Sequence, residues 1–535
     1  MKLRVHRRRM AAYLPFALAA LAAAALPVGR AAAGVTARWS VDGYEQWDEG
    51  EAEEAFITSI GEVRPGWQTA RTDLEAGGVW SAVRGADGTL YLGTDDKGSV
   101  WRVRGGKASR LAEVSGAVAV VSLALGKGGA LYAGTMPGGQ IWQIDTGSGK
   151  ARKLTELKDV ETVWSLAVDR KGRLFAGTGP DGKLFRIDPR SGKARAVFST
   201  QDKRILSMVA TADGAIWFGT SDDALLFRHD PGRGTTRAMA DFSGNEVTAL
   251  AEHKGSVVAA ANEFKEPTTS GVKTAAAIKE AEGRAGKGQK GKTTTEKKKS
   301  ATEPERKGAR SGKGSLFRVR GDGQLEQLHS LSKTYFTSIA VNREGQIFAG
   351  AGDKGRIYLI ETDDSVSTAF DVPQRQIAQI VAESGGVTFV TGDSTAVYRT
   401  TGRARKATYT SKVFDAQAPS RFGSFGWRSG GKVVIETRTG NTEEPGPGWS
   451  GWQAPRDSHA AGGGGRRGKV ASPPGRYLQF RARLASDDAV LRAAQIYYLP
   501  QNRPTRIEEV TVAESTAMKL KTLERAPTSA RSPVL

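Results

Sequence analysis

Aspartate is the residue type with metal-binding chemistry that recurs at related places in this chain. The aspartates follow short apolar segments in glycine-containing turns, and they are Asp95, Asp96, Asp181, Asp222, Asp223, Asp353 and Asp393. If these turns share one face of the fold, their carboxylates supply the oxygen ligands that a hard cation such as calcium prefers. The alternative is that aspartate is simply favourable in turns beside glycine.

Groups that would support catalysis are sparse. The chain has five histidines and no cysteine. His6 lies near the N-terminus, and His229, His253, His329 and His459 occupy unrelated positions. No Gly-x-Ser-x-Gly, His-Glu-x-x-His or dinucleotide-binding glycine pattern is present. No catalytic residue and no cofactor are predicted, while a structural or catalytic divalent cation stays open.

Two pairs of tryptophans are the candidate binding residues. Trp80 and Trp164 interrupt a column of mostly small or aliphatic residues, which predicts a ligand-facing mouth; packing is the alternative. Trp449 and Trp452, in a Trp-Ser-Gly-Trp phrase, are typical of a glycan-binding surface, with a buried edge aromatic as the alternative.

A short sequence motif that recurs seven times, here called the Gly-Thr phrase, must position these residues. In its third copy, Leu174 to Thr178 forms an apolar strand ending in Gly-Thr, and Leu184 to Arg186 follows with an aromatic. The glycines of the first four copies lie 41, 43 and 42 residues apart, at Gly93, Gly134, Gly177 and Gly219. We number the units repeats 1 to 7. Four short antiparallel strands at this period predict a β-propeller blade.

The predicted fold is all-β: a seven-bladed β-propeller of four-stranded blades over residues 79–412, then a small antiparallel β-sandwich over 413–500. The third-strand aromatics are expected to fill the core between blades; they are Trp101, Trp142, Phe185, Phe227, Phe317, Tyr358 and Tyr398. Because strands alternate in direction, the loops joining second and third strands share one face with the loops joining repeats, so the aspartate turns are expected on that face.

A basic insertion interrupts repeat 5 between its second and third strands. Residues 265–314 hold fourteen Lys and Arg against six Glu, which is +8 of the net charge of +21. The first nine residues add five more positive charges, so the rest of the chain is only mildly basic. The insertion has too few apolar residues to fold and is predicted to be disordered. It lacks interleaved aromatics, so nucleic-acid binding is not expected; gating of the acidic face is one hypothesis.

The two ends of the chain complete the predicted organisation. Residues 1–33 resemble a signal peptide, with an uncleaved anchor as the alternative, and the protein is expected to be exported to the periplasm or cell exterior without a membrane span after cleavage. Residues 34–78 form a lead-in with a hairpin-like stretch from 54 to 67. Residues 501–535 are expected to be a mostly mobile tail. Because the chain has no cysteine, no disulfide can cross-link the fold.

The repeat sequence from Val163 to Gly179 resembles secreted bacterial β-propellers of the two-component-regulator, NHL and virginiamycin B lyase-like groups. The segments around Trp449 and from Arg476 to Ala482 are similar to the β-sandwich that follows such propellers. The resemblance to lyases implies a metal-assisted His and Glu pair, for which no histidine stands at a matching position. The expected function is therefore a monomeric, non-catalytic binding or scaffolding module for an extracytoplasmic protein or glycan. The alternative is a metal-dependent propeller enzyme of the lyase or lactonase type.

Overall fold

The computed structural model describes residues 36–265 and 312–501, except residues 384, 393 and 394. The predicted signal peptide 1–33, most of the insertion 265–314, Asp393 and nearly all of the tail 501–535 lie outside the described residues. The described chain is a β-propeller with two short helical segments, an α-helix at Tyr44–Asp48 and a 3₁₀ turn at Lys127–Gly129. It contains no helix with the length and hydropathy needed to cross a bilayer.

Six four-stranded antiparallel sheets stand alone, from repeats 1 to 5 and repeat 7. In each, the strands pair in chain order, starting from an inner strand; repeat 7 takes its fourth strand from the N-terminal segment. The strands are Val79–Arg84, Leu90–Thr94, Ser99–Arg104 and Lys107–Glu113; Ala119–Leu125, Ala130–Met136, Gln140–Asp145 and Ala151–Glu156; Thr162–Val168, Leu174–Gly179, Lys183–Ile187 and Ala194–Ser199; Ile205–Ala210, Ile216–Thr220, Leu225–Asp230 and Thr235–Asp241; Glu246–His253, Ser256–Phe264, Gly312–Arg320 and Leu325–Leu331; Ile377–Glu383, Gly386–Thr391, Ala396–Arg403 and Trp67–Asp73.

Repeat 6 corrects the prediction of seven separate blades. Its strands are Phe336–Val341, Ile347–Ala351, Arg356–Ile360 and Val366–Asp371. They pair in the same order as the others, but the outer strand also pairs with the N-terminal segment at Thr368 and Ile57. This contact joins repeat 6 to a 15-stranded sheet. Six four-stranded sheets are therefore separate from other sheets, and not seven. The inner strands still contact one another in a closed ring from repeat 1 through repeat 7.

The Gly-Thr phrase has a separate packing reason for each residue. A Cβ at Gly93 would lie 2.5 Å from the carbonyl oxygen of Val120 on the next inner strand, so only glycine allows the approach. The threonine hydroxyl donates to the carbonyl oxygen five residues later, at 2.9 to 3.3 Å, and closes the turn into the third strand. These threonines are buried, and they are Thr94, Thr135, Thr178, Thr220 and Thr391.

Hydroxyls on the inner strands tie neighbouring repeats together. The Ser122 hydroxyl donates to the Val163 carbonyl at 2.7 Å, and Ser165 donates to Ile205 at 3.0 Å. The same bond recurs between repeats 4 and 5 at 2.7 Å. The Gln379 amide of repeat 7 donates to the Trp80 carbonyl of repeat 1 at 3.0 Å, which links the last repeat to the first.

The predicted aromatic core is confirmed. Four members of the third-strand column are buried, namely Trp101, Phe227, Tyr358 and Tyr398. The other three are partly buried and pack against the core between sheets, namely Trp142, Phe185 and Phe317. The column therefore holds neighbouring sheets together, as large flat side chains in a wedge-shaped space should.

The lead-in has a larger role than the sequence suggested. Ala55–Ile57 pairs with Val63–Pro65 around Gly61, which confirms the hairpin. Trp67–Asp73, also in the lead-in, pairs along Ala396–Arg403 and completes the sheet of repeat 7. The propeller is thus closed by a strand from the start of the chain.

Eleven strands from both ends of the chain make up the rest of the large sheet. They are Ala37–Val41, Glu51–Glu53, Ala55–Ile57, Val63–Pro65, Ala407–Thr410, Phe414–Gly430, Val433–Gly440, Arg456–Ala461, Gly465–Lys469, Gly475–Leu484 and Val490–Pro500. One core contains Trp47 and Ile57 from the N-terminal part together with Phe425 and Phe480 from the C-terminal part. A separate sandwich of residues 413–500 is not confirmed, because those strands share their core with the lead-in.

A buried charge cluster joins this shared core to repeat 6. The guanidinium of Arg356, with a side chain only 5% exposed, lies 3.0 Å from Asp48 and 3.5 Å from Asp371. It also donates to the backbone carbonyls of Asp48 and Gly50. Burial disfavours its charged form, but Asp48 and Asp371 more than offset this and hold the pKa of Arg356 above its ordinary value.

Candidate functional site

The candidate site begins with a bulge that recurs in every inner strand. In repeat 1, Val79 pairs with Thr94 and Ser81 pairs with Gly93, so Trp80 is an extra residue. The bulged residues are Trp80, Val121, Trp164, Leu206, Thr248, Thr337 and Ala378. A bulge re-aims a side chain out of the regular strand alternation. Because the inner strands surround the propeller axis, the seven bulges form one ring.

Trp80 and Trp164 meet across this ring. Their ring centroids lie 6.5 Å apart with planes tilted by 52°. They belong to repeats 1 and 3, which are not neighbours, so their contact places both indoles over the axis. Trp80 is 41% exposed, which is unusual for so large an apolar side chain. The structure therefore brings the two predicted mouth residues together.

One residue that sequence reasoning missed also belongs to this surface. The guanidinium carbon of Arg204 lies 5.7 Å from the Trp164 ring centroid, within cation–π range. Arg204 directly precedes the inner strand of repeat 4, so the repeat register was the signal that could have found it. We call Trp80, Trp164 and Arg204 the axial mouth.

The axial mouth lies on the face that carries the loops between second and third strands, here called the upper face. The six predicted aspartates that the structure describes are on this face, but basic side chains neutralise most of them locally. Asp181 lies 3.0 Å from Lys183, and Asp353 lies 3.5 Å from Arg375. Asp96 and Asp222 are likewise paired, with Arg110 at 2.9 Å and Lys203 at 3.6 Å.

Asp95 and Asp222 illustrate the packing and hydrogen bonding of these carboxylates within the protein. Asp95 packs against the chain entering repeat 1, where a Cβ at Gly78 would lie 2.9 Å from its carboxylate. Burial disfavours ionisation of Asp222, but hydrogen bonds from the Lys203 amide and the Ser221 hydroxyl hold its pKa below the usual range. Among the described residues, no three or more His, Asp or Glu side chains are grouped to hold a metal ion.

The insertion leaves and re-enters the fold on the upper face. The second and third strands of repeat 5 pair as far as Phe264 and Gly312, which confirms the predicted point of interruption. Asn245 fixes this exit, because its side chain accepts from the Phe264 amide at 3.0 Å and donates to the Phe264 carbonyl at 2.9 Å. The gating hypothesis itself concerns residues outside the described chain.

Trp449 and Trp452 lie away from the axial mouth, in the large shared sheet region. Trp449 is 8% exposed, and its indole nitrogen donates to the Thr442 hydroxyl at 3.0 Å. The guanidinium carbons of Arg438 and Arg481 lie 4.5 and 4.6 Å from the Trp452 ring centroid. These contacts fit the alternative of a packed aromatic edge better than an open sugar platform.

The described histidines are dispersed. His229 is buried and bonded to the Thr236 hydroxyl at 2.9 Å. Burial lowers the pKa of His329 to about 4, so it is neutral at physiological pH. Neither belongs to the axial mouth, and the described residues contain no His and Glu pair at it.

Comparisons with known proteins concern the fold. No protein-family model matches the chain, and no curated protein matches it. Among solved structures, virginiamycin B lyase from Staphylococcus aureus is 10% identical, with a TM-score of 0.46 over 62% of this chain and 98% of that chain. An extracellular domain assigned to a one component system of B. thetaiotaomicron is 14% identical, with a TM-score of 0.44 over 69% of this chain and 42% of that chain. The WD40 repeats of RRP9 are 11% identical, with a TM-score of 0.45 over 62% of this chain and 97% of that chain.

Proposed function

We propose that the protein is an exported, non-catalytic binding module whose axial mouth binds an extracytoplasmic protein or glycan. The observation that carries the proposal is the meeting of Trp80 and Trp164 over the axis. The equivalent residues of the other five repeats are small or aliphatic, so packing of the ring does not require a tryptophan.

The chemistry of the axial mouth suits a ligand with a flat apolar part. Tryptophan and arginine are enriched among the residues that dominate binding energy, because each combines a large contact area with polar groups at its edge. The guanidinium carbon of Arg204 lies 5.7 Å from the Trp164 ring centroid, and its N–H groups can donate to an acceptor of the ligand. A sugar ring or a protein side chain meets these requirements equally.

The proposal is tested by comparing the full-length wild type with Trp80→Ala and Trp164→Ala. Each protein is used for pull-down from envelope extract and for binding to an array of envelope glycans. Leu325→Ala is the matched control, because Leu325 is 46% exposed and belongs to the outer strand of repeat 5. We expect both tryptophan variants to lose a ligand that wild type and Leu325→Ala retain. Identical ligand profiles for all four proteins would overturn the proposal.

A further inference from the structure

The face opposite the axial mouth, here called the lower face, carries two clefts at the same repeat position. One lies between repeats 1 and 2 and has a volume of about 450 Å³; the other lies between repeats 5 and 6 and has a volume of about 350 Å³. Each is lined by the first turn of one repeat, by two arginines of its third strand, and by a threonine of the next repeat. The arginines are Arg102 and Arg104 in the first cleft, which Lys107 also lines, and Arg318 and Arg320 in the second.

The clefts differ in the charge of the residue that precedes the turn glycine. In repeat 1 this residue is Asp87, which lies 3.7 Å from Arg104. In repeat 4 it is Asp213, which lies 2.6 Å from the third-strand arginine Arg228. In repeat 5 it is Lys254, so an ammonium stands where repeats 1 and 4 have a carboxylate. Repeat 3 also has a lysine before its turn glycine, Lys171.

The carboxylates near the repeat 5 cleft do not restore the balance. Glu326 and Asp364 both bind Arg318, at 2.9 and 2.7 Å. The part of the chain that the structure describes shows no carboxylate within ion-pair distance of Lys254 or Arg320, and the guanidinium of Arg320 donates to the Gln324 side chain at 2.6 Å. His253 also lines the cleft, and its Nδ1 atom is buried without a hydrogen-bond partner, as is Nε of Arg318. Three cations therefore face two carboxylates, and two cations are free to bind a ligand.

We propose that the repeat 5 cleft binds a compact tetrahedral oxyanion, sulfate or phosphate, through Lys254 and Arg320. Arginine meets such an anion with two parallel N–H groups, and lysine adds a point charge. Thr362 of repeat 6 also lines the cleft, and its hydroxyl can act as a neutral donor. The cleft is larger than a single oxyanion, so it has room for a group attached to the anion. The ligand is therefore either the free anion or a sugar that carries the anion as an ester.

Calorimetric titration of the full-length protein distinguishes these sources. The probes are sodium sulfate, sodium phosphate, glucose 6-sulfate and glucose 6-phosphate, each at constant ionic strength against chloride. We expect saturable one-to-one binding by wild type. Tighter binding of an ester than of its free anion would identify a carried group as the ligand, and equal affinities would identify the free anion.

Lys254→Asp restores the residue type found in repeats 1 and 4, and aspartate tolerates the positive φ of 46° at this position. Arg320→Met removes the second free cation. We expect each substitution to weaken binding at least about tenfold, because each removes a charge-assisted contact. Lys171→Asp is the matched control, since it makes the same charge change before the turn glycine of repeat 3. Absence of saturable binding by wild type, or equal weakening by Lys171→Asp, would overturn the proposal.

Discussion

Replacement of Arg356 by methionine should reveal how strongly the N-terminal segment is bound to the propeller. Methionine keeps most of the side-chain volume but leaves Asp48 and Asp371 as buried carboxylates without a counter-ion. Removing one partner of a buried ion pair typically costs about 3–5 kcal/mol. The substitution also removes the donors to the carbonyls of Asp48 and Gly50. We therefore expect the free energy of unfolding of this region to fall by about 3–5 kcal/mol at pH 8.

The pH dependence of this loss is a sharper test than its size. Burial raises the pKa of Asp371 to about 6, even though Arg356 acts in the opposite direction. The folded state therefore binds more protons than the unfolded state between about pH 4 and pH 6, and stability falls as the pH rises through this window. This difference between the folded and unfolded pKa of Asp371 corresponds to about 3 kcal/mol. Without Arg356 the pKa of Asp371 should rise further, so the variant should lose more stability at pH 8 than at pH 5.

Urea unfolding and thermal melting at pH 5 and pH 8 measure both effects. Arg104→Met is the control, since the side chain of Arg104 is 72% exposed and its ion pair should contribute at most about 1 kcal/mol. Adding Asp371→Asn to Arg356→Met removes one uncompensated charge and should recover part of the loss at pH 8. The reasoning fails if Arg356→Met destabilises no more than the control, or by the same amount at both pH values.

Two further predictions concern the repeats and the upper face. Gly219→Ala should destabilise the seam between repeats 4 and 5 by about 1–3 kcal/mol, because a Cβ there would lie 2.5 Å from the Cβ of Val247. Gly321→Ala is the control, because neither glycine has a positive φ and a Cβ at Gly321 would meet no atom within 4 Å; equal urea midpoints would contradict the packing argument. Addition of calcium or EDTA should leave the melting temperature of the full-length protein unchanged, because Asp181 and Asp353 are already paired with basic side chains. A calcium-dependent rise that Asp353→Asn abolishes would show that the upper face holds a cation.

The sequence predicted those features that each repeat determines within itself. A glycine such as Gly93 and the threonine after it recur because each repeat makes the same close approach and the same turn, so their period is visible without a structure. The aromatic column was predicted for the same reason. The candidate mouth was found because Trp80 and Trp164 depart from a column whose register was already known.

Features that depend on contacts between distant segments could not be read in this way. Trp67–Asp73 pairs with Ala396–Arg403, more than 300 residues later, and its sequence carries no Gly-Thr signal. The sequence also could not predict that Asp181 and Asp353 pair with a lysine and an arginine, because a carboxylate in a turn has the same sequence pattern whether it is free or paired. The sequence therefore predicted an acidic face, and the structure shows a largely neutralised one.

The repeats also provide an internal standard for separating packing from binding. A residue required by the propeller should recur wherever the geometry recurs, as the inner-strand hydroxyl of Ser122 does in Ser165 and Ser207. Trp164 and Lys254 occupy repeat positions whose residue type changes from repeat to repeat, one on each face of the ring. Their replacement by the residue of a neighbouring repeat should therefore remove binding while leaving the fold intact. If such replacements unfold the protein instead, departures from the repeat compensate for local packing, and both proposed sites lose their support together.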